Sequence, residues 1–169
     1  ALAHQATSDV KLSPSAGNDI AFIQFSSGST GVPKGVCLTH QNLLHNIISI
    51  IEHQHGKPSD CFVSWLPLFH DMGIIGYHLL PLVLGAKQVL MHPRLFMKRP
   101  ESWLQALDRH HGTCTASPNF GLSRVITKIT PEQARGFNLK HIHCLLNGSE
   151  PISSEIMHSF MALFEPAGF

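Results

Sequence analysis

Hydrophobic and polar positions change period several times along this chain, and each change marks an element. Ile20-Ala21-Phe22-Ile23-Gln24-Phe25 is rich in β-branched and aromatic residues and predicts a strand. Val36 and Leu38 alternate with Cys37 and Thr39 and predict a second. Leu43, Leu44, Ile47, Ile48 and Ile51 then recur at helical spacing behind Thr39, a candidate N-cap, until Gly56-Lys57-Pro58-Ser59 stops the helix. Cys61-Phe62-Val63-Ser64-Trp65 reads as a short buried strand, Pro67-Leu68-Phe69-His70-Asp71 as a loop, and 72–84 as an apolar helix ended by Gly85. The rhythm continues with a strand over 87–91, a helix over 100–110 with Pro100 in its first turn, a strand over 113–116 and a helix over 120–129. A strand over 141–146, a turn at Asn147-Gly148-Ser149-Glu150-Pro151 and a helix over 153–164, capped by Ser153 or Ser154, complete it. Repeated βα units predict an α/β fold with a mostly parallel sheet covered by helices, preceded by a β-hairpin. Residues 1–18 have the composition of a linker or frayed end, so residues 19–169 are expected to hold the ordered structure.

Composition narrows the partners more than the fold. The 169 residues make one domain or part of one, and 43% hydrophobic content is ample for a core. A net charge of +1 without blocks of like charge gives no reason to invoke nucleic acid or an acidic membrane surface. No apolar run reaches membrane-spanning length and no charged start precedes one, so the expected location is cytoplasmic. Cys37, Cys61, Cys114 and Cys144 show no C-x-x-C pair and read as buried thiols of a reducing compartment. His53 with His55, or His141 with His143, could share a strand face, but no third ligand stands at zinc spacing. No metal ligand is therefore expected, and the histidines read as scattered surface or half-buried residues.

The run from Ser26 to Val36, Ser-Ser-Gly-Ser-Thr-Gly-Val-Pro-Lys-Gly-Val, crowds four hydroxyls, three glycines and one lysine into a turn between the first two strands. Glycine lets backbone N–H groups approach a ligand, hydroxyls add rotatable donors and the ammonium adds charge, a combination suited to phosphate. The plain alternative is a mobile surface turn. A Walker A loop is excluded: Val32 and Pro33 separate Gly31 from Lys34, no hydroxyl follows the lysine, and a strand rather than a helix comes next.

Two more loops follow strand ends, where open α/β sheets hold ligands. In Pro67-Leu68-Phe69-His70-Asp71-Met72-Gly73-Ile74-Ile75-Gly76, Asp71 reads as a helix N-cap, and Gly73 and Gly76 leave room for a chain or ligand. Asn147-Gly148-Ser149-Glu150-Pro151 is by itself an ordinary turn, and Phe120 in Ser117-Pro118-Asn119-Phe120-Gly121 is by itself a core residue.

Together, the strand, S-S-G-S-T-G-x-P-K-G-V, strand pattern and these loops resemble the adenylate-forming superfamily, over roughly residues 19–169, and within it most closely the fatty acyl-AMP ligases. The resemblance implies that Ser26, Ser27, Gly28, Ser29, Thr30, Gly31 and Lys34 embrace the phosphates of ATP. It implies that His70 is catalytic and hydrogen-bonds the substrate carboxylate. Asn147, Gly148, Ser149, Glu150 and Pro151 would lie along the adenine, and Met72, Gly73, Ser117, Pro118, Asn119 and Phe120 would contact the acyl substrate. It further implies ATP and Mg²⁺ as cofactors, a fatty acid as substrate, and an acyl carrier protein or coenzyme A as acceptor. The glutamate contacting magnesium, the ribose-binding aspartate and the mobile C-terminal domain with its lysine are expected after Phe169. The chain thus reads as a portion of the N-terminal domain, inactive alone. The alternatives are part of an acyl-CoA synthetase, or a non-catalytic nucleotide-binding or scaffolding domain.

Overall fold

A computed structural model of the chain describes residues 13–26 and 33–169. By its contacts the chain divides into two units, residues 1–45 and 46–169. In the first unit, β1 (Ile20–Ser26) and β2 (Lys34–Thr39) pair antiparallel, from Ile20 opposite Thr39 to Ser26 opposite Lys34, with a register shift between Ile20 and Phe22. This is the expected hairpin. Just before it, Asp19 N–H donates to Ala16 O, Asp19 Oδ2 accepts from Ala16 N–H at 2.7 Å, and Gly17 O accepts from Gln41 N–H at 2.8 Å. Thr39 caps α1 (His40–Gln54) as its sequence predicts. Its hydroxyl accepts from Asn42 N–H at 3.2 Å while Asn42 Oδ1 accepts from Thr39 N–H at 3.1 Å, a reciprocal box that satisfies backbone donors at the helix start.

The second unit is built on a four-stranded parallel sheet in the order β4 (Lys87–Leu90), β3 (Cys61–Ser64), β5 (Cys114–Ala116), β6 (Cys144–Leu146). Every residue of β3 and β5 is buried, as central parallel strands covered on both faces must be. The helices are α2 (Leu80–Leu84), α3 (Pro93–Lys98), α4 (Glu101–His110), α5 (Asn119–Lys128), α6 (Pro131–Ala134) and α7 (Ser154–Phe164). Among the described residues, no helix is long and apolar enough to cross a membrane. Trp103, Leu104, Phe96, Phe160, Phe164, Leu122 and Val125 form much of the core, and Trp103 donates its indole N–H to Thr115 Oγ1 at 2.9 Å.

Four expectations change here. The segment over 72–84 is not one α-helix: Met72–Leu79 is π-helical and only Leu80–Leu84 is α-helical. The strand over 141–146 shrinks to Cys144–Leu146, which leaves His141 and His143 in irregular chain and removes the shared strand face. Helices α3 and α6 were not expected; each is shorter than two turns and starts with proline behind a capping side chain, His92 and Thr130 respectively. Of the cysteines, Cys61 and Cys114 are buried and Cys144 half-buried, but Cys37 is exposed on β2.

Candidate functional site

The C-terminal ends of the parallel strands converge on one edge of the second unit, and the loops leaving them carry His70, Pro118 and Ser149. Asp71 caps the π-helical segment, its Oδ1 accepting from Met72 N–H at 2.7 Å, as the sequence predicts. His70 Nδ1 stands 2.7 Å from the same Asp71 oxygen and 3.2 Å from Met72 N. That edge of the ring is thus engaged, and Nε2 is the nitrogen left for a ligand. The His70 side chain is about half exposed, at 48%.

Gly73 and Gly76 divide the two tasks the sequence suggested for them. A Cβ on Gly73 would sit 2.2 Å from Pro67 O, so this glycine lets the first turn press against the preceding loop. A Cβ on Gly76 would meet nothing within 4 Å. Gly76 instead faces a mixed cavity of about 640 Å³, where His70, Asp71, Tyr77 and Ser149 stand beside Met72, Ile75, Leu80 and Leu146. Its far wall is Asn46, Ile50 and Gln54, one face of α1, a contribution the sequence reading missed although their four-residue spacing marks it. Tyr77 is buried, and burial holds its phenol well above the ordinary value, so it remains neutral.

His70 and Ser149 also border a second cavity, of about 370 Å³. Its other walls are mainly apolar: Trp65, Leu66, Pro67, Pro93, Met97, Pro118 and Phe120, together with Glu150. Trp65 stacks on Phe96 with centroids 3.9 Å apart and meets Phe120 edge-on at 5.7 Å, which fixes one side of the wall. Pro93 and Met97 come from α3 and were likewise not foreseen.

Of the residues expected to contact the acyl substrate, the four from Ser117 to Phe120 separate into wall and support. Pro118 and Phe120 line the apolar cavity. Ser117 is fully buried and Asn119 nearly so. Asn119 is the pin of the neighbouring turn: its Oδ1 accepts from Asn147 Nδ2 at 2.7 Å and from Ser153 N–H at 3.2 Å, and its Nδ2 donates to Pro151 O. Glu150 adds a fourth tie, accepting from Phe120 N–H at 3.0 Å at the start of α5. Within the turn, Ser149 takes a left-handed φ of 71° and directs its hydroxyl to Met72 Sδ at 3.1 Å. The loops around His70 and Asn147 thereby meet through Met72 and Ser149.

For the phosphate loop, Ser27, Gly28, Ser29, Thr30 and Gly31 lie outside the described residues, as does the side chain of Ser26. Lys34 is exposed and stands opposite Ser26 where the ladder ends. At the opposite end of the same strands, side-chain atoms of Asp60, Cys114 and His143 lie within 4.8 Å of one another.

Comparison with known proteins gives the same outline. The family model for AMP-binding enzymes matches residues 2–168. The long-chain-fatty-acid–AMP ligase FadD32 of Mycolicibacterium smegmatis is 39% identical over 155 residues, covering 89% of this chain and 24% of that protein. JamA of Moorena producens, a medium-chain-fatty-acid–[acyl-carrier-protein] ligase, is 39% identical over 151 residues, covering 89% of this chain and 25% of its own length. The chain therefore spans about a quarter of the length of these curated relatives. The fatty acyl-adenylate ligase of L. pneumophila, solved with acyl adenylate and pyrophosphate, superposes with a TM-score of 0.87 at 38% identity, covering 93% of this chain and 28% of that one.

Proposed function

Because the chain belongs to the AMP-binding enzyme family, we propose that the full-length protein activates a fatty acid with ATP and passes the acyl group to the phosphopantetheine thiol of an acyl carrier protein. The observation that carries this reading is the junction at His70, where a mixed cavity with polar groups around the imidazole meets an apolar one. An acyl chain needs apolar walls and its carboxylate a polar end, and His70 borders both. In this reading Nε2 of His70 donates to the carboxylate and aims it at the α-phosphorus of ATP. A carboxylate oxygen bonds to that phosphorus, the bond to the bridging oxygen breaks, and pyrophosphate leaves. The carrier thiol then displaces AMP at the acyl carbon.

Residues 26–31 and Lys34 would hold the phosphates, and the turn at 147–151, pinned by Asn119, would lie along the adenine. Pro118 and Phe120 would flank the acyl chain, with Met72 and Gly73 between the two loops. Residues 19–169 form a portion of the AMP-binding domain in this account. Mg²⁺ needs oxygen ligands. The described residues offer it no carboxylate cage: Glu150 is engaged by Phe120 N–H, and the one close group of potential ligands includes a thiol and an imidazole. When bound with ATP it would neutralise phosphate charge, and its protein ligands are sought outside these residues. The names of JamA and of TtuA from Teredinibacter turnerae, both acyl-carrier-protein ligases, support the proposed acceptor. Free thiols and the use of ATP are in keeping with a cytoplasmic enzyme.

The test supplies the full-length protein with ATP, Mg²⁺, a fatty acid and coenzyme A. Accumulated acyl adenylate with little thioester is the expected result. Rapid acyl-CoA formation would move the protein to the synthetase branch, and no fatty-acid-dependent pyrophosphate release would overturn the enzymatic reading.

A further inference from the structure

The N-terminal ends of the same parallel strands carry a second group of reactive side chains, unused by the adenylation chemistry. Asp60 directly precedes β3, Cys114 opens β5 and His143 directly precedes β6. His143 Nε2 lies 2.9 Å from Asp60 Oδ1 and 3.9 Å from Cys114 Sγ, and all three atoms are within 4.8 Å of one another. With zinc bonds of about 2.0 Å to nitrogen or oxygen and about 2.3 Å to sulfur, tetrahedral angles put ligand atoms roughly 3.3 to 3.5 Å apart. Each pair of these atoms therefore lies within about 1.3 Å of its zinc-bound separation.

Its surroundings hold the ligands in place. Asp60 Oδ2 accepts from Lys57 N–H at 2.7 Å, and the Thr113 hydroxyl donates to Asp60 Oδ1 at 2.9 Å while accepting from Cys61 N–H at 3.0 Å. Outer hydrogen bonds of this kind fix a ligand's orientation. The Asp60 side chain is 5% exposed and that of His143 50%, so the cluster has a buried floor and one side open to solvent.

We propose that Asp60, Cys114 and His143 bind a zinc ion through one carboxylate oxygen, one thiolate and one imidazole, with water in the fourth position on the exposed side. Sulfur and nitrogen donors select a borderline ion of this kind over Mg²⁺ or Ca²⁺. On binding, the Cys114 proton passes to solvent, and His143 releases its hydrogen bond to Asp60 and ligates through Nε2 with its proton on Nδ1. The ion clips the starts of three adjacent strands, joining residues 83 positions apart, and by binding the folded state alone it raises the thermal midpoint.

Cobalt(II) is the probe, titrated into the reduced, chelator-treated full-length protein, with circular dichroism as the check on folding. The expected result is one cobalt with a thiolate-to-cobalt charge-transfer band and tetrahedral visible bands, displaced by zinc. Cys114→Ser should remove the charge-transfer band. His143→Gln, on the solvent side and harmless to the core, should weaken binding by at least about tenfold. No thiolate band in the unaltered protein, or a band that persists undiminished in both folded variants, would overturn the site.

Discussion

The two ends of one parallel sheet gather polar side chains by different means. At the C-terminal ends, His70, Pro118 and the turn at 147–151 sit in loops that leave β3, β5 and β6, and each loop is a contiguous motif. At the N-terminal ends, Asp60, Cys114 and His143 come one apiece from the approaches to the same three strands. The first end is open, with cavities of about 640 and 370 Å³. The second is tight, with hydrogen bonds of 2.7 to 2.9 Å around a carboxylate that is 5% exposed. A sheet edge that must admit a ligand is shaped by loop backbone, whereas one that only has to hold strands together is shaped by side chains already in register.

Variants separate the two ends, in order of expected effect. Gly73→Ala drives a Cβ to 2.2 Å from Pro67 O, and overpacking of this kind costs about 3 kcal/mol. Chemical denaturation should show that loss, and catalysis at the open end should fall with it. Asn119→Ala removes the three hydrogen bonds that this buried carboxamide makes to the partly buried or exposed Asn147, Pro151 and Ser153, each worth about 0.5 to 1.5 kcal/mol net. The same denaturation curves, together with faster amide exchange at Ser153, would report the loosened turn. In the hairpin, Lys34→Ala should weaken nucleotide binding about tenfold without unfolding, as loss of a charge-assisted phosphate contact does, read by calorimetric titration. Smallest of all, His143→Gln at the closed end should change adenylation kinetics not at all and metal-free stability by about 1 kcal/mol or less, since the glutamine amide can still donate to Asp60.

How legible each end is in the sequence follows from the same contrast. The hairpin, Thr39 and Ser153 as caps, Asp71 as cap and the strands β3 to β5 follow from local period and local capping chemistry, and the structure has them where the sequence puts them. The motif loops are legible because a ligand-binding loop keeps its donors adjacent. Asn119 shows the limit: it sits inside a stretch expected to touch substrate, yet its carboxamide is spent on a turn about thirty residues away, a partnership no periodicity encodes. The π-helical course of 72–79 and the close approach of Gly73 to Pro67 O are not encoded in any local period. The group at Asp60, Cys114 and His143 is invisible in the sequence because its members lie far apart along the chain and meet only across strands.

In the proposed reading His70 orients a fatty-acid carboxylate where the larger, mixed cavity joins the apolar one. The direct measurement is fatty-acid-dependent exchange of pyrophosphate into ATP by the full-length protein, with and without His70→Ala, beside ATP affinity in the absence of fatty acid. Losing one positioned donor to a reacting group costs on the order of 3 kcal/mol, so exchange should fall by about two orders of magnitude while ATP affinity stays within about twofold. Exchange at the unaltered rate, or a loss of ATP binding equal to the loss of exchange, would contradict the account.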